Sequence, residues 1–541
     1  MNSLYHFRKK LGAKGTMLLI LAFVLVTTGC TKVTSGSAKS DKEIVIAVST
    51  DVGIDQMDAG SYKGNMAAYP MIYDSLVEYG EKGEIVPSLA ESWNISPDGK
   101  TYIFHLKKGV KFSDGTAFNA QAVKFSFERW YKDPANSSIS VAKALQDLTV
   151  VDDLTLKMTF DKSFYPFLTE LSFARPVRIL SPSAVEPAGD VKGKFLKPIG
   201  TGAWLPESYT KDQQAVFVRN PDYWGKKPLL SKIVFKVIPD PQSRVLALQN
   251  GSVDISGGEI GVIPSESVPV IKQTSSLSLQ ETPGTNAYFS IFNYNNPILQ
   301  DVNVRKAINL AIDKKSIVDK LMGGVGKEAK GLFPLTVPYI TKENNKWYGY
   351  DSSEAKQLLN QAGYADTNGD QIVEKDGKPL ELNLVLQQTE FPEWKPLAEY
   401  MQSQLQDVGI KLNLQVLETN AYYDALWQNK KFDLIMYRTY SDAYNPHFFL
   451  ISLFHKTGDT PAVAWSDAQL ETFIDEVVGT VDVKQRQDKY NALFDLMYKR
   501  AMFVPLYYPD GIFAVNNRVK GLQLGYTTYS PIQWNELDVA K

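Results

Sequence analysis

The sequence predicts an α/β protein of two lobes, and three observations carry that expectation. A chain of 541 residues exceeds what one hydrophobic core ordinarily serves. Its first half is rich in short β runs closed by Pro-Asp-Gly and Asp-Gly turns, the pattern of hairpins. From Asn286 onward, strand patterns alternate with helical ones, Leu380–Gln387 then Pro396–Val408 then Ile410–Val416, as in βαβ units. A hydrophobic content of 44% and a charged content of 22% fit a folded globular chain. Lys+Arg 58 against Asp+Glu 60 leaves a net charge of −2, so there is no basic field and no case for a nucleic-acid partner.

In chain order, residues 1–29 read as a targeting segment. Arg8, Lys9, Lys10 and Lys14 precede the apolar run Met17–Val26, which is of signal-peptide length and short for a membrane span. Thr27-Thr28-Gly29-Cys30 resembles a bacterial lipobox, which implies lipid attachment at Cys30 and an extracytoplasmic, lipid-anchored protein on the outer face of the cell membrane. Cys30 is the sole cysteine, so no intramolecular disulfide is available. Residues 30–42 are small and polar, a flexible tether. Folded structure is expected from the strand Glu43–Ser49, followed by an amphipathic helix over Tyr69–Glu78 with Met66 just ahead of it. Pro97-Asp98-Gly99 and Asp114-Gly115 make turns, and Asn119 caps a helix over Ala120–Trp130. A hairpin over Val150–Phe160 and a short helix over Tyr165–Leu171 come next. Ser243 is expected to cap the helix that Gly251 ends, and Asp301–Ile312 reads as a further helix. Phe432–Tyr437 is a short buried strand, and Met502–Tyr507 and Ile512–Val515 are strands. Asp366–Glu374 begins like a calcium loop, but Gln371 and Gly377 stand where Gly and Glu are required, so a loop tip is expected.

The block Pro198–Ile255 has fixed punctuation. Gly200-Thr201-Gly202-Ala203-Trp204 is followed by Asn220-Pro221-Asp222-Tyr223-Trp224-Gly225-Lys226-Lys227-Pro228, then Pro239, Asp240 and Arg244, then Gly251 and Asp254. This order resembles the signature region of family-5 extracellular solute-binding proteins, the peptide- and nickel-binding class of ABC importers. The run from Leu89 to Val123 and the Val304-Arg305…Ala311-Ile312-Asp313 unit resemble further family patterns. The resemblance implies a large type II periplasmic-binding-protein-like fold with an extra subdomain. The expected bounds are 43–285 for the first lobe, with the insert at about 80–190, then 286–500 for the second and 501–541 for a return to the first. The block itself reads as scaffold.

Chemistry-bearing residues are few. No G-x-S-x-G elbow, H-E-x-x-H or P-loop is present, and four His form no spaced pair, so a binding protein is expected rather than an enzyme. An extracellular sensor or enzyme on the same scaffold is the reading of another class, and these missing motifs weigh against it. Arg175 and Arg178 flank Pro176 in an otherwise apolar stretch; a buried guanidinium needs a carboxylate, from the protein or from a ligand. Arg438 to Phe449 follows a strand end and carries Tyr440, Asp442, Tyr444 and His447, with His455 beyond. Ligands of α/β lobes gather at the carboxyl ends of strands. This loop resembles that of the nickel-binding subgroup, and Tyr165 to Arg178 resembles a second subgroup phrase. The resemblance implies that Arg175 binds a chelator carboxylate, that Met66 lies in the cleft, and that His455 stands near the place of a metal-ligating His. Tyr440, Tyr444 and His447 are expected at the ligand; Asp442 could instead hold the α-amine of a di- or oligopeptide, which keeps the peptide alternative open. No intrinsic cofactor is expected. The partners implied are a small ligand (a nickel or other metal chelate, or a short peptide), an ABC permease, and the membrane through the lipid; a monomer is expected.

Overall fold

The computed structural model describes residues 42–540 apart from 62, 81–83, 132–139, 440–445, 457–460, 466 and 528–529. Two large sheets define two lobes. The first has seven strands in the order Trp204–Thr210, Gln214–Arg219, Lys232–Val237, Glu43–Val48, Ile255–Gly257, Gly511–Asn516, Leu277–Thr282. Glu43–Val48 is buried along nearly its whole length and pairs in parallel with a strand on each side, the pattern of a strand covered on both faces. Asp254, fully buried, accepts from the Val45 amide at 2.8 Å and from Arg518 Nε at 2.7 Å, so one carboxylate ties the centre of this sheet to the C-terminal segment.

The second sheet has six strands in the order Lys327–Glu328, Phe503–Tyr508, Tyr288–Phe292, Leu434–Arg438, Glu381–Leu386, Lys411–Val416. Helix Trp394–Gln406 covers part of it. Trp394, Leu397, Ala398, Met401 and Leu405 are its buried residues, the spacing of one helical face. The expected return at 501 is corrected. Phe503–Tyr508 is buried throughout and still pairs with Tyr288–Phe292 in the second sheet. The chain turns back at Pro509-Asp510 and re-enters the first sheet as Gly511–Asn516. Its companion crossing lies alongside, with the Gly284 amide donating to Asp510 Oδ1 at 3.4 Å.

A four-stranded antiparallel sheet, in the order Ala90–Ile95, Thr101–Leu106, Thr155–Phe160, Leu145–Asp152, forms the inserted subdomain. Tyr102, Phe104 and Leu106 alternate inward, and helix Ala120–Glu128 is capped by Asn119, whose side chain accepts from the Ala122 amide at 3.0 Å. Phe167 meets Tyr102 and Phe160 edge-on, each with centroids 4.8 Å apart.

The signature block proves to be built around one carboxylate. Asp74 is buried and accepts from Thr201 Oγ1 and from Trp224 Nε1, both at 2.8 Å, with the Tyr223 hydroxyl at 3.4 Å. Burial pushes its carboxyl upward, and the Thr201 and Trp224 donors oppose that. A Cβ on Gly200 would stand 2.1 Å from the Ile72 carbonyl oxygen, and one on Gly202 would stand 2.4 Å from that of Met71, so the close approach admits only glycine. The expected helix over Tyr69–Glu78 is cut short for the same reason. The helix covers only Tyr69–Ile72, because the Ile72 carbonyl accepts from the Gly202 amide at 2.8 Å and Tyr73 is extended. Val77–Tyr79 then pairs with Ile85–Pro87. The helix expected to start at Ser243 is Pro241–Gln249, capped by Asp240, which accepts from the Ser243 amide at 2.7 Å.

Candidate functional site

Met66 opens a single 3₁₀ turn, Met66–Ala68, because Asn65 accepts from the Ala67 amide at 3.0 Å and starts the turn. Tyr69 follows, fully buried, its hydroxyl donating to the Lys63 carbonyl at 2.7 Å. Burial pushes that phenol up to about 12, against the pull of Arg175. The loop ahead of it is pinned by Arg129, whose Nε lies 3.1 Å from both oxygens of Asp58 and whose Nη1 donates to the Val191 carbonyl at 2.9 Å.

Arg175 comes to this loop from the inserted subdomain. Its Nη1 donates to the Gly64 carbonyl at 2.6 Å, and its guanidinium carbon lies 5.8 Å from the Tyr69 ring centre. Its side chain is half-buried while Phe173, Ala174 and Val177 around it are buried. Arg178 is placed differently. It is 3% exposed, ion-paired with Glu78, and its Nε donates to the Phe173 carbonyl at 3.0 Å. Of the two arginines flanking Pro176, Arg178 takes Glu78, and Arg175 meets the Gly64 carbonyl and the Tyr69 ring.

His447 is expected as a ligand contact, and the structure corrects this. It lies at the start of helix Pro446–Phe454 and is fully buried, with Nε2 3.5 Å from Glu170 Oε1. Phe164 and Tyr165 meet its ring edge-on at 6.3 and 5.7 Å. Burial pushes the imidazole down, against Glu170 and with the help of Arg486. Glu170, Phe164 and Tyr165, which meet the ring, belong to the inserted subdomain. His455 lies at the other end of the helix. Its Nδ1 donates to the Lys456 carbonyl at 2.6 Å, and Nε2 is 3.5 Å from Asp475. No hydrogen bond or ion pair among the described residues joins it to Arg175 or Met66. Tyr440, Asp442, Tyr444 and Cys30 lie outside the described residues. The loop at Asp366 turns its carboxylate to its own backbone, accepting from the Gly369 amide at 2.7 Å, as a loop tip does. Among the described residues no group of three His, Cys, Asp or Glu side chains could hold a metal ion.

A cluster not anticipated from the sequence lies just beyond strand Glu381–Leu386. Glu390 accepts from Gln387 Nε2 and from the Tyr423 hydroxyl, both at 2.6 Å, while Glu393 accepts from the Tyr288 hydroxyl at 2.6 Å. Arg438 lies over the Phe391 ring at 5.3 Å. The signal was available: these residues follow the carboxyl end of a strand parallel to its neighbours Lys411–Val416 and Leu434–Arg438.

Comparison with known proteins agrees with this architecture. Residues 84–461 match the model of the bacterial extracellular solute-binding proteins, family 5. The chain is 32% identical over 505 residues to the nickel-binding periplasmic protein of Escherichia coli (strain K12), covering 92% of this chain and 93% of that protein. It is 29% identical over 478 residues to the dipeptide-binding protein of the same strain, covering 83% and 86%. Among solved structures, NikA from Brucella suis in complex with Fe(III)-EDTA is similar with a TM-score of 0.84 and 30% identity, covering 92% of this chain and 100% of that one. With its family model matched over most of its length and its two lobes in place, the chain belongs to the family-5 extracellular solute-binding proteins of ABC importers.

Proposed function

We propose that this protein is a receptor tethered through lipid on Cys30 to the outer face of the cell membrane. In this reading it captures nickel or another metal as a small carboxylate-bearing chelate and delivers it to an ABC permease. The observation that carries the reading is the placement of Arg175. Its planar fork sits at the 64–69 loop, donating to the Gly64 carbonyl and lying near the Tyr69 ring. A guanidinium matches a carboxylate in geometry as well as charge. The likeness to a nickel-binding protein and to one solved with an iron chelate supports the same cargo class. In this reading the chelator supplies most of the donors, and an imidazole suits any position it leaves open. His455 faces Asp475, and a role for it as metal ligand would require it to leave that contact.

The peptide reading has its own support: Asp442 in the loop after Arg438, and the similarity to a dipeptide-binding protein. Native mass spectrometry of protein purified from its own host, followed by calorimetry with nickel–histidine and with a dipeptide set, separates the two. Tight dipeptide binding that depends on Asp442, with Arg175→Ala neutral, overturns the chelate reading.

A further inference from the structure

The inserted subdomain touches the second lobe through a compact set of polar and aromatic side chains. Glu170 and His447 meet across this junction, both fully buried, and the second Glu170 oxygen accepts from the Val141 amide at 2.7 Å. Beside them the Tyr165 and Tyr490 hydroxyls are 2.7 Å apart. The Arg486 guanidinium lies over the Tyr165 ring at 3.8 Å, and its Nε donates to the Tyr339 hydroxyl at 2.9 Å. Ser163 Oγ donates to the Gly479 carbonyl at 2.5 Å. The two large sheets are joined covalently only where the chain crosses between them, near 283–287 and at 509–510. The subdomain junction is therefore held by these non-covalent contacts.

We propose that Glu170–His447 and the adjoining Tyr165–Arg486–Tyr490 group form a latch. The latch sets what fraction of the protein has its cleft closed before cargo arrives, and it makes Glu170 and His447 positioning residues for the site. Closing the junction strips water from a carboxylate, an imidazole and a guanidinium. That cost is recovered only in part, because such buried pairs offer little net gain and His447 Nδ1 has no hydrogen-bond partner among the described residues. A junction so nearly balanced opens readily, yet its parts are specific enough to close in one register. Glu170 is five residues ahead of Arg175 in the same largely buried stretch, and Arg175 meets the Gly64 carbonyl at the 64–69 loop.

The proposal's consequence for affinity rests on the reading that cargo binds beside Arg175; its consequence for shape does not. The test uses the full mature chain and three variants, Glu170→Gln, His447→Gln and the milder Tyr490→Phe, which removes one hydroxyl from the Tyr165–Tyr490 pair. Small-angle scattering without cargo should show each variant more extended than the parent. Calorimetry with nickel–histidine should show a loss of roughly tenfold in affinity if the closed fraction falls about tenfold. Arg175→Ala should lose affinity with its unliganded scattering unchanged. Variants that match the parent in unliganded shape overturn the latch, as does a parent whose shape is the same with and without bound cargo. If nickel–histidine fails to bind the parent, the cargo assignment falls, while the unliganded scattering still decides the latch.

Discussion

The two arginines around Pro176 offer a direct test, because they are near in sequence and opposite in circumstance. Arg178 is 3% exposed and paired with Glu78, whose side chain is 35% exposed, so Arg178→Ala strands a half-buried carboxylate and empties a buried site. Breaking a buried pair by removing one partner costs about 3–5 kcal/mol, and the partial exposure of Glu78 places the expected loss near the lower figure, about 3 kcal/mol. Arg175→Ala removes a half-buried side chain whose Nη1 bonds a main-chain carbonyl, and one such bond is worth about 1 kcal/mol of stability. Its larger effect should appear in binding. Loss of a desolvated charge contact to a ligand carboxylate costs roughly 2–5 kcal/mol, which is on the order of 30-fold or more in Kd. Arg175→Lys keeps the charge but not the fork and should recover only part of the affinity. Thermal unfolding and calorimetric titration with nickel–histidine, run on the parent and the three variants, read the two effects separately. The reasoning is refuted if Arg178→Ala melts like the parent while losing cargo, or if Arg175→Ala binds nickel–histidine as the parent does.

Three further outcomes follow from other parts of the molecule. Asp74→Ala leaves Thr201 and Trp224 without a shared acceptor in a buried place and should destabilise by about 2–4 kcal/mol, measured by urea unfolding. Cys30→Ala should release the protein from the membrane fraction and abolish lipid labelling; a variant that stays bound and labelled removes the anchor from the account. The third concerns acid. Burial holds the His447 imidazole below its ordinary value, so the latched form favours the neutral ring and an exposed ring binds the proton better. Latching should therefore be intact above a pH of about 6.5 and weaken as pH falls through that value toward the lowered one. The groups facing the ring are Glu170, Arg486 and the Tyr165 hydroxyl-bearing ring. Unliganded scattering across pH 5–8 should show expansion on acidification in the parent and none in His447→Gln.

What could be read from the sequence was what local residues decide. Asn119 caps a helix where a short polar side chain precedes an apolar pattern. The face of Trp394–Gln406 follows from its spacing alone. What could not be read was decided by partners far along the chain. The Tyr69–Ile72 helix stops because an amide from Gly202 takes its last carbonyl, and nothing between Tyr69 and Glu78 announces that. Phe503–Tyr508 has the composition of a buried strand in either sheet, and its place beside Tyr288–Phe292 is a matter of topology. Arg175 and Arg178 sit in the same apolar phrase, and partners about a hundred residues away, Gly64 for one and Glu78 for the other, tell them apart. His447, in a loop rich in aromatic side chains, reads as a ligand contact until Glu170, 277 residues away in sequence, takes its ring. A titratable side chain near a strand end has two fates, binding cargo or joining lobes, and both draw on the same residue types. Only the partner distinguishes them. That is why the signature block around Asp74 identifies the fold through many residues at once, while the cargo must be argued from the surroundings of one arginine.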